Sequence, residues 1–313
     1  MNSKLQDFRP DGGKIRFTST PDGFKIRYGV WSKGTIGTIF FLNGRTEYIE
    51  KYSDTISKFL NRNFSVVSLD WRSQGLSQRY FGRRDIGHIN DFKEYQTDLK
   101  TLLSLEDVKK LPKPFVLVSH SMGGLIGLRA ISNKSHCFSA AVFSAPAWGA
   151  KMFENAVLNL IKGLAPVIKT PGIAKIKLYP GGKQPYVLTT SARENALTSD
   201  EKQFKRLQSI VKAEPKLLVG PPTVGWGLAT AHELEKLEKA KPPKIPILIF
   251  MSGEETVVDN DAIKRFAEKS VNSKLVEINR AKHEVFLETP KIQKTAWSHL
   301  DDFLSKVTKS ASV

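Results

Sequence analysis

Residues 115–125 read Phe-Val-Leu-Val-Ser-His-Ser-Met-Gly-Gly-Leu. Four apolar residues have the look of a fully buried strand. Small residues then flank a serine, and Leu125, Ile126, Leu128 and Ala130 follow at helical spacing. A serine at a sharp strand-to-helix turn is a nucleophile elbow. The turn requires small neighbours two positions on either side, here Ser119 and Gly123. Glycine is usual at the first of these places, and Ser119 departs from it while remaining small. The elbow holds the Ser121 hydroxyl clear of the sheet. It also sets the Met122 N–H at a helix N-terminus, where developing negative charge is favoured.

A serine nucleophile needs a base, and the base needs an acid to orient it. Following an elbow of this kind, the chain order is serine, acid, histidine. The acid belongs in the loop after the apolar run 245–250, which reads Ser252-Gly-Glu-Glu-Thr-Val-Val-Asp259. Glu254, Glu255 and Asp259 all lie there. Glu255 is taken first, then Asp259, then Glu254, because Asp259 comes late enough to cap the helix that follows it. The base belongs after the run 274–278, in Asn279-Arg-Ala-Lys-His-Glu284. His283 is the only histidine between Ile245 and Trp297. An oxyanion would be met by the N–H of Met122 and by one from the loop Asn43-Gly44-Arg45. Arg45 is the expected second donor through its backbone. Its side chain is left open either to bind a substrate phosphate or to pair with Glu47.

The remaining histidines take lesser roles. His120 is read as packed against neighbouring loops, His88 as hydrogen-bonded to a loop, and His136, His232 and His299 as surface positions. None shows metal-ligand spacing, and Cys137 has no partner cysteine. No metal and no cofactor are expected.

Strands and helices must alternate to position these loops. Residues 14–31 alternate around Pro21-Asp22-Gly23, as a β-hairpin does. Buried strands follow at 38–42, 64–69, 115–118, 140–143, 245–250 and 274–278, with amphipathic helices between. That alternation implies a parallel sheet covered on both faces, an α/β fold. It breaks after Pro146, and helical patterns punctuated by Pro and Gly fill 147–238. The chain therefore divides into a first core part, 1–146, an inserted and mainly helical cap, 147–238, and a second core part, 239–313. The cap should roof Ser121 at the carboxyl ends of the strands.

The chain has 313 residues and a formal net charge of +17. Its lysines are spread along the whole length. A solvated basic surface is the first reading, attraction to an anionic membrane surface the second, and no recognition motif points to nucleic acid. No run reaches the roughly 18 apolar residues of a membrane helix. The N-terminal residues lack the apolar segment of a secretory signal. One cysteine fits a reducing cytoplasmic setting, with peripheral membrane contact left open.

Five stretches carry a resemblance to a known family. They are Asn43-Gly-Arg-Thr-Glu-Tyr-Ile-Glu-Lys-Tyr52, Asp70-Trp-Arg-Ser-Gln-Gly-Leu-Ser77, Gly87-His-Ile-Asn-Asp-Phe92, Ser119-His-Ser-Met-Gly-Gly124 and Glu254-Glu-Thr-Val-Val-Asp259. The chain resembles an α/β-hydrolase of the serine-aminopeptidase-like group, which includes monoacylglycerol lipases, and within it bacterial lysophospholipases. The likeness spans nearly the whole chain and is weak around 147–185. It implies an α/β-hydrolase fold with the nucleophile at Ser121 and the base at His283. Lipases of the group carry aspartate at the position of Glu255; the lysophospholipase-like members resemble this chain in carrying glutamate there.

The expected activity is a serine hydrolase cleaving carboxylic esters of single-chain lipids through an acyl-enzyme, of lysophospholipase or monoacylglycerol lipase type. A small-ester carboxylesterase or an aminopeptidase of the same fold is the alternative. The aminopeptidase would need an acid to hold a substrate amine, and the basic cap offers none that can be assigned. A non-catalytic binding protein is a third reading, weakened because no part of the triad is missing. Dehalogenase or epoxide hydrolase chemistry would need an aspartate at position 121 and is excluded.

Overall fold

The computed structural model describes residues 3–133, 135–149, 162–168, 170–178 and 185–310. Eight strands form one sheet: β1 Lys14–Ser19, β2 Lys25–Trp31, β3 Thr38–Leu42, β4 Ser65–Asp70, β5 Phe115–His120, β6 Ala140–Ser144, β7 Ile247–Ser252 and β8 Ser273–Ile278. Their spatial order is β1-β2-β4-β3-β5-β6-β7-β8. β2 runs antiparallel to both β1 and β4, and the other pairings are parallel. The hairpin turns at Gly23, whose φ of +84° suits a residue without a Cβ.

The strands from β3 to β7 are buried along their whole length. Helices cover both faces, so these strands read as continuous apolar runs. Alternate residues go to opposite sides. Phe40 and Leu42 face a core built with Tyr95, Leu99, Leu125 and Ile126. Those side chains come from α2 (Lys93–Ser104) and α3 (Met122–Ser132). Ile39 and Phe41 face the other way, against Ile56 and Phe59 of α1 (Ser53–Leu60) and Trp297 and Leu300 of the closing helix 290–310. Burial of each such side chain contributes roughly 1.5–3 kcal/mol. β7 begins two residues after the expected 245, because Pro246 has no N–H to give the ladder; its carbonyl still accepts from Ala141.

Between β6 and β7 no strand occurs among the described residues. Gly87–Pro222 and Lys177–Thr223 form isolated bridges. Two longer helices occupy this segment, α4 (Glu201–Ala213) and α5 (Val224–Glu238). α4 is started by Asp200, whose carboxylate accepts from the Lys202 and Gln203 amides. It buries the expected stripe of Phe204, Leu207, Ile210 and Val211. The helical pattern read at 153–161 and the turn read at 179–182 both lie wholly outside the described residues.

Candidate active site

The elbow is strained as its sequence implies. Ser121 sits at φ +52°, ψ −120°, a conformation that costs an L-residue about 1–3 kcal/mol. The surroundings hold it there. Its N–H donates to Ser144 O at 3.1 Å, and its carbonyl accepts from Gly124 at 2.8 Å and from Ala147 at 3.0 Å. A Cβ at Gly123 would lie 2.2 Å from the Leu42 carbonyl oxygen, so only glycine lets α3 start this close to β3. Ser119 replaces the usual glycine without conflict. It is fully buried, and its hydroxyl donates to Val142 O at 3.3 Å.

Met122 opens α3, so its N–H has no intrahelical acceptor. The loop after β3 passes directly over Ser121, and a Cβ at Gly44 would lie 3.0 Å from the Ser121 Cβ. Neither the Met122 nor the Arg45 amide donates to a backbone acceptor among the described residues. Both residues line the same cavity as Ser121.

His283 and Glu255 are buried and joined, Nδ1 to Oε2 at 2.8 Å. Glu255 Oε1 accepts from the amides of Val257 at 2.6 Å and Val258 at 3.2 Å. Burial alone would raise the pKa of this carboxyl. The hydrogen bond and charge of His283, with the two amides, outweigh burial and hold the pKa below its ordinary value. An ionised Glu255 requires the His283 proton on Nδ1, which leaves Nε2 as the acceptor. The other two acids are elsewhere. Asp259 caps the helix α6 (Asn260–Lys269) by accepting from Asp261 N at 2.9 Å. Glu254 is exposed.

Sequence reasoning missed a buried polar cluster beneath these loops. The Lys51 ammonium contacts Glu47 Oε1 at 2.8 Å and also Glu284. His120 directs Nδ1 to Ser144 O at 3.1 Å, and its Nε2 lies 3.3 Å from Glu284 Oε1. Tyr52 Oη is 2.9 Å from a carboxylate oxygen of each glutamate. One phenol proton can serve only one of them, so a proton on the other carboxyl completes the set. Burial, and then the neighbouring charge of Glu284, push Glu47 upward. Burial would do the same to Glu284, but His120 and Lys51 hold it ionised, well below the ordinary value. Burial opposes charge on His120, yet Glu284 and Glu47 raise its pKa. The donor atoms of Glu47, His120 and Glu284 converge as a metal site would require; here the Lys51 ammonium supplies the cation between the two carboxylates. The cluster ties together the three loops that carry Arg45, Ser121 and His283, since Glu47 also accepts from Gly44 N, and the His120 and His283 rings lie 4.5 Å apart. Its signal in the sequence was adjacency: His120 precedes Ser121, Glu284 follows His283, and Glu47 and Lys51 stand one helical turn apart.

The Arg45 side chain does not pair with Glu47. It bonds the Gly220 carbonyl at 2.7 Å and lies over the Trp226 ring at 5.2 Å. His88 bonds Thr223 Oγ1 at 2.7 Å and Asn90 Oδ1 at 3.2 Å, and burial lowers its pKa. His136, His232 and His299 are half-buried rather than surface side chains.

Ser121 and His283 open onto a cavity of about 960 Å³. Its far wall comes from the segment between β6 and β7, including Tyr186, Leu207, Val211, Leu218, Trp226 and Leu234. That wall is mainly apolar and sits at the carboxyl edge of the parallel strands, where open α/β sheets bind their ligands.

Comparison with known proteins agrees with this architecture. A probable lysophospholipase L2 from Haemophilus influenzae is 27% identical over 268 residues, which cover 85% of this chain and 83% of that protein. Lysophospholipase L2 from Escherichia coli K12 is 26% identical over 277 residues, covering 84% and 78%. The crystal structure of a soluble variant of monoglyceride lipase from Saccharomyces cerevisiae, in complex with a substrate analog, matches 96% of this chain and 98% of its own. That match has a TM-score of 0.73 at 19% identity, a likeness of fold. The family model described as serine aminopeptidase, S33 (Hydrolase_4), matches residues 34–290. With the model spanning most of its length and the sheet and elbow in place, the chain belongs to this serine aminopeptidase S33 family, on an α/β-hydrolase fold.

Proposed function

We propose that this protein is a serine hydrolase cleaving carboxylic esters of single-chain lipids, with Ser121, His283 and Glu255 as its triad. The Ser121 hydroxyl attacks the ester carbonyl, and His283 Nε2 takes its proton. The developing oxyanion is met by the N–H groups of Met122 and Arg45. His283 returns the proton to the leaving alcohol. Water then attacks the acyl-enzyme, again through His283. Glu255 keeps the imidazole in the required tautomer and stabilises its charged form. The segment 147–238 acts as the cap, and its apolar wall takes the acyl chain.

The observation that carries this reading is the bonded Glu255–His283 pair opening, with the strained Ser121, onto one large apolar cavity. The relatives named as lysophospholipases support the same class of ester. A panel of lysophosphatidylcholine, monoacylglycerol, p-nitrophenyl esters and aminoacyl amides tests it. Turnover of the esters, lost in Ser121→Ala, is the expected result. Turnover confined to the amides would replace it with the peptidase reading.

A further inference from the structure

The cavity contains a cation that the protein leaves uncompensated. Two of the three buried arginines meet carboxylates: Arg27 pairs with Glu50 and with Asp70 at 2.9 Å, and Arg72 pairs with Asp98 at 2.7 Å and Asp22 at 2.6 Å; the third, Arg79, is held by four backbone carbonyls and does not line the cavity. Arg45 forms no ion pair among the described residues. Its one hydrogen bond goes to the neutral Gly220 carbonyl, its flat face rests on Trp226, and its Nε is shut off from solvent without a partner. Burial lowers its pKa to about 10, so it stays charged at neutral pH. Arg45 is half-buried, and a partly desolvated cation without a counter-charge is costly. A guanidinium with free N–H groups, fixed on an aromatic face, is built to take an oxyanion in the forked mode.

We propose that the Arg45 guanidinium is a phosphate subsite of the cavity, selecting lipid esters whose head group carries net negative charge. This rests on the reading of the cavity as the place where a lipid ester is cleaved. Arg45 follows the glycine packed on Ser121 and lines the same cavity, so a phosphate held here shares the cavity with an ester at Ser121. The mouth extends the same sign. Arg84 lines the cavity, is exposed, bonds the Lys216 carbonyl at 3.0 Å, and has no acidic partner among the described residues. The acids among the lining residues are engaged: Glu47 lies in the Lys51 cluster, and Asp85 is gripped by Arg83 at 2.8 Å and Lys177 at 3.1 Å. A quaternary ammonium would find no free carboxylate there. A phosphate bearing glycerol, or none but its own charge, suits this site better than phosphocholine or an uncharged glycerol.

The test measures kcat/KM on acyl-matched lysophosphatidic acid, lysophosphatidylglycerol, lysophosphatidylcholine and monoacylglycerol, all presented as monomers. The native enzyme should favour the first two. Arg45→Gln should reduce kcat/KM on those two about tenfold more than on monoacylglycerol, mainly through KM, as loss of a charge-assisted pair implies. Arg45→Lys should fall between. Calorimetry with glycerol 3-phosphate and with inorganic phosphate separates a lipid head group from free phosphate: the native protein should bind the former more tightly, and Arg45→Gln neither. An equal loss on all four lipids, or none, would overturn the subsite. Failure of the native enzyme on every lipid, with glycerol 3-phosphate binding intact and dependent on Arg45, would remove the lipid-ester reading while keeping the anion site. If Arg45→Gln does not fold, Arg45→Lys and native binding still decide the matter, because absence of glycerol 3-phosphate binding by the native protein overturns the proposal alone.

Discussion

Arg72 and Arg79 are both buried on one loop, yet they meet different segments and different kinds of partner. Arg72, on the core side, is held by the carboxylates of Asp98 and Asp22, which lift its pKa above the ordinary value against the effect of burial. Arg79 is held by carbonyls alone, those of Ser73, Gly75, Lys216 and Leu218, and burial lowers its pKa to about 10. The Lys51 cluster under Ser121 follows the first pattern and Arg45 follows the second. Around the Lys51 cluster, charge is balanced internally, so breaking it should cost folding energy. Where residues 216–220 pack, Arg79 and Arg45 fasten backbone carbonyls without an acidic partner among the described residues, so changing them should cost less stability.

The largest effect expected lies at the boundary of the two regions. Ser121→Ala should abolish covalent labelling by a fluorophosphonate probe and reduce ester turnover by about 10⁶, with His283→Ala close behind, because triad members act as a unit. Labelling that survives in Ser121→Ala would put the nucleophile elsewhere. Next comes the contrast between acids. Glu255→Gln should lower kcat by about 10⁴ through the wrong histidine tautomer. Asp259→Ala should leave kcat in place and lower stability by about 1 kcal/mol, the worth of a helix N-cap. The reverse outcome would make Asp259 the orienting acid.

The two arginines then test the comparison directly. Arg72→Met leaves Asp98 buried and unpaired and should destabilise by about 3–5 kcal/mol in chemical denaturation. Arg79→Met removes a cation that had no acid to answer it and should cost about 1 kcal/mol. Equal losses would mean that Arg79 is as structural as Arg72.

The smallest effect is one of pH. The folded-state pKa of Glu255 is depressed, so its contribution to stability is present above the ordinary value of 4.5 and lost as pH falls through the folded value. Melting temperatures of the native protein and Glu255→Gln should differ at neutral pH and draw together in acid. A gap that persists unchanged to pH 3 would show that the ionised carboxylate is not what stabilises this loop.

Much of this could be read from the chain. The strands β3 to β7 announced themselves because a parallel sheet covered on both faces needs continuous apolar runs. The Ser119–Gly123 elbow was legible because backbone strain and close packing restrict residue size over a few consecutive positions. The order of the loops followed from topology, and the separate task of Asp259 was visible as a helix cap. These are local requirements, and a local requirement writes itself into adjacent residues.

Other features were silent until the chain was folded. Which of Glu254, Glu255 and Asp259 meets His283 depends on a distance of a few ångströms across two loops. The convergence of Glu47, Lys51, His120 and Glu284 joins positions up to 237 residues apart. The fate of Arg45 turned on Gly220 and Trp226, far along the chain in a segment whose pattern revealed only helices. A charged side chain's partners are set by whatever surface arrives opposite it. Periodicity and motif spacing determined the fold and the order of the loops that carry Ser121, Glu255 and His283, because those follow from backbone hydrogen bonding and burial along the chain. Only the tertiary structure decided which charges are compensated and which are not, because compensation is a matter of through-space distance and shared exclusion from water.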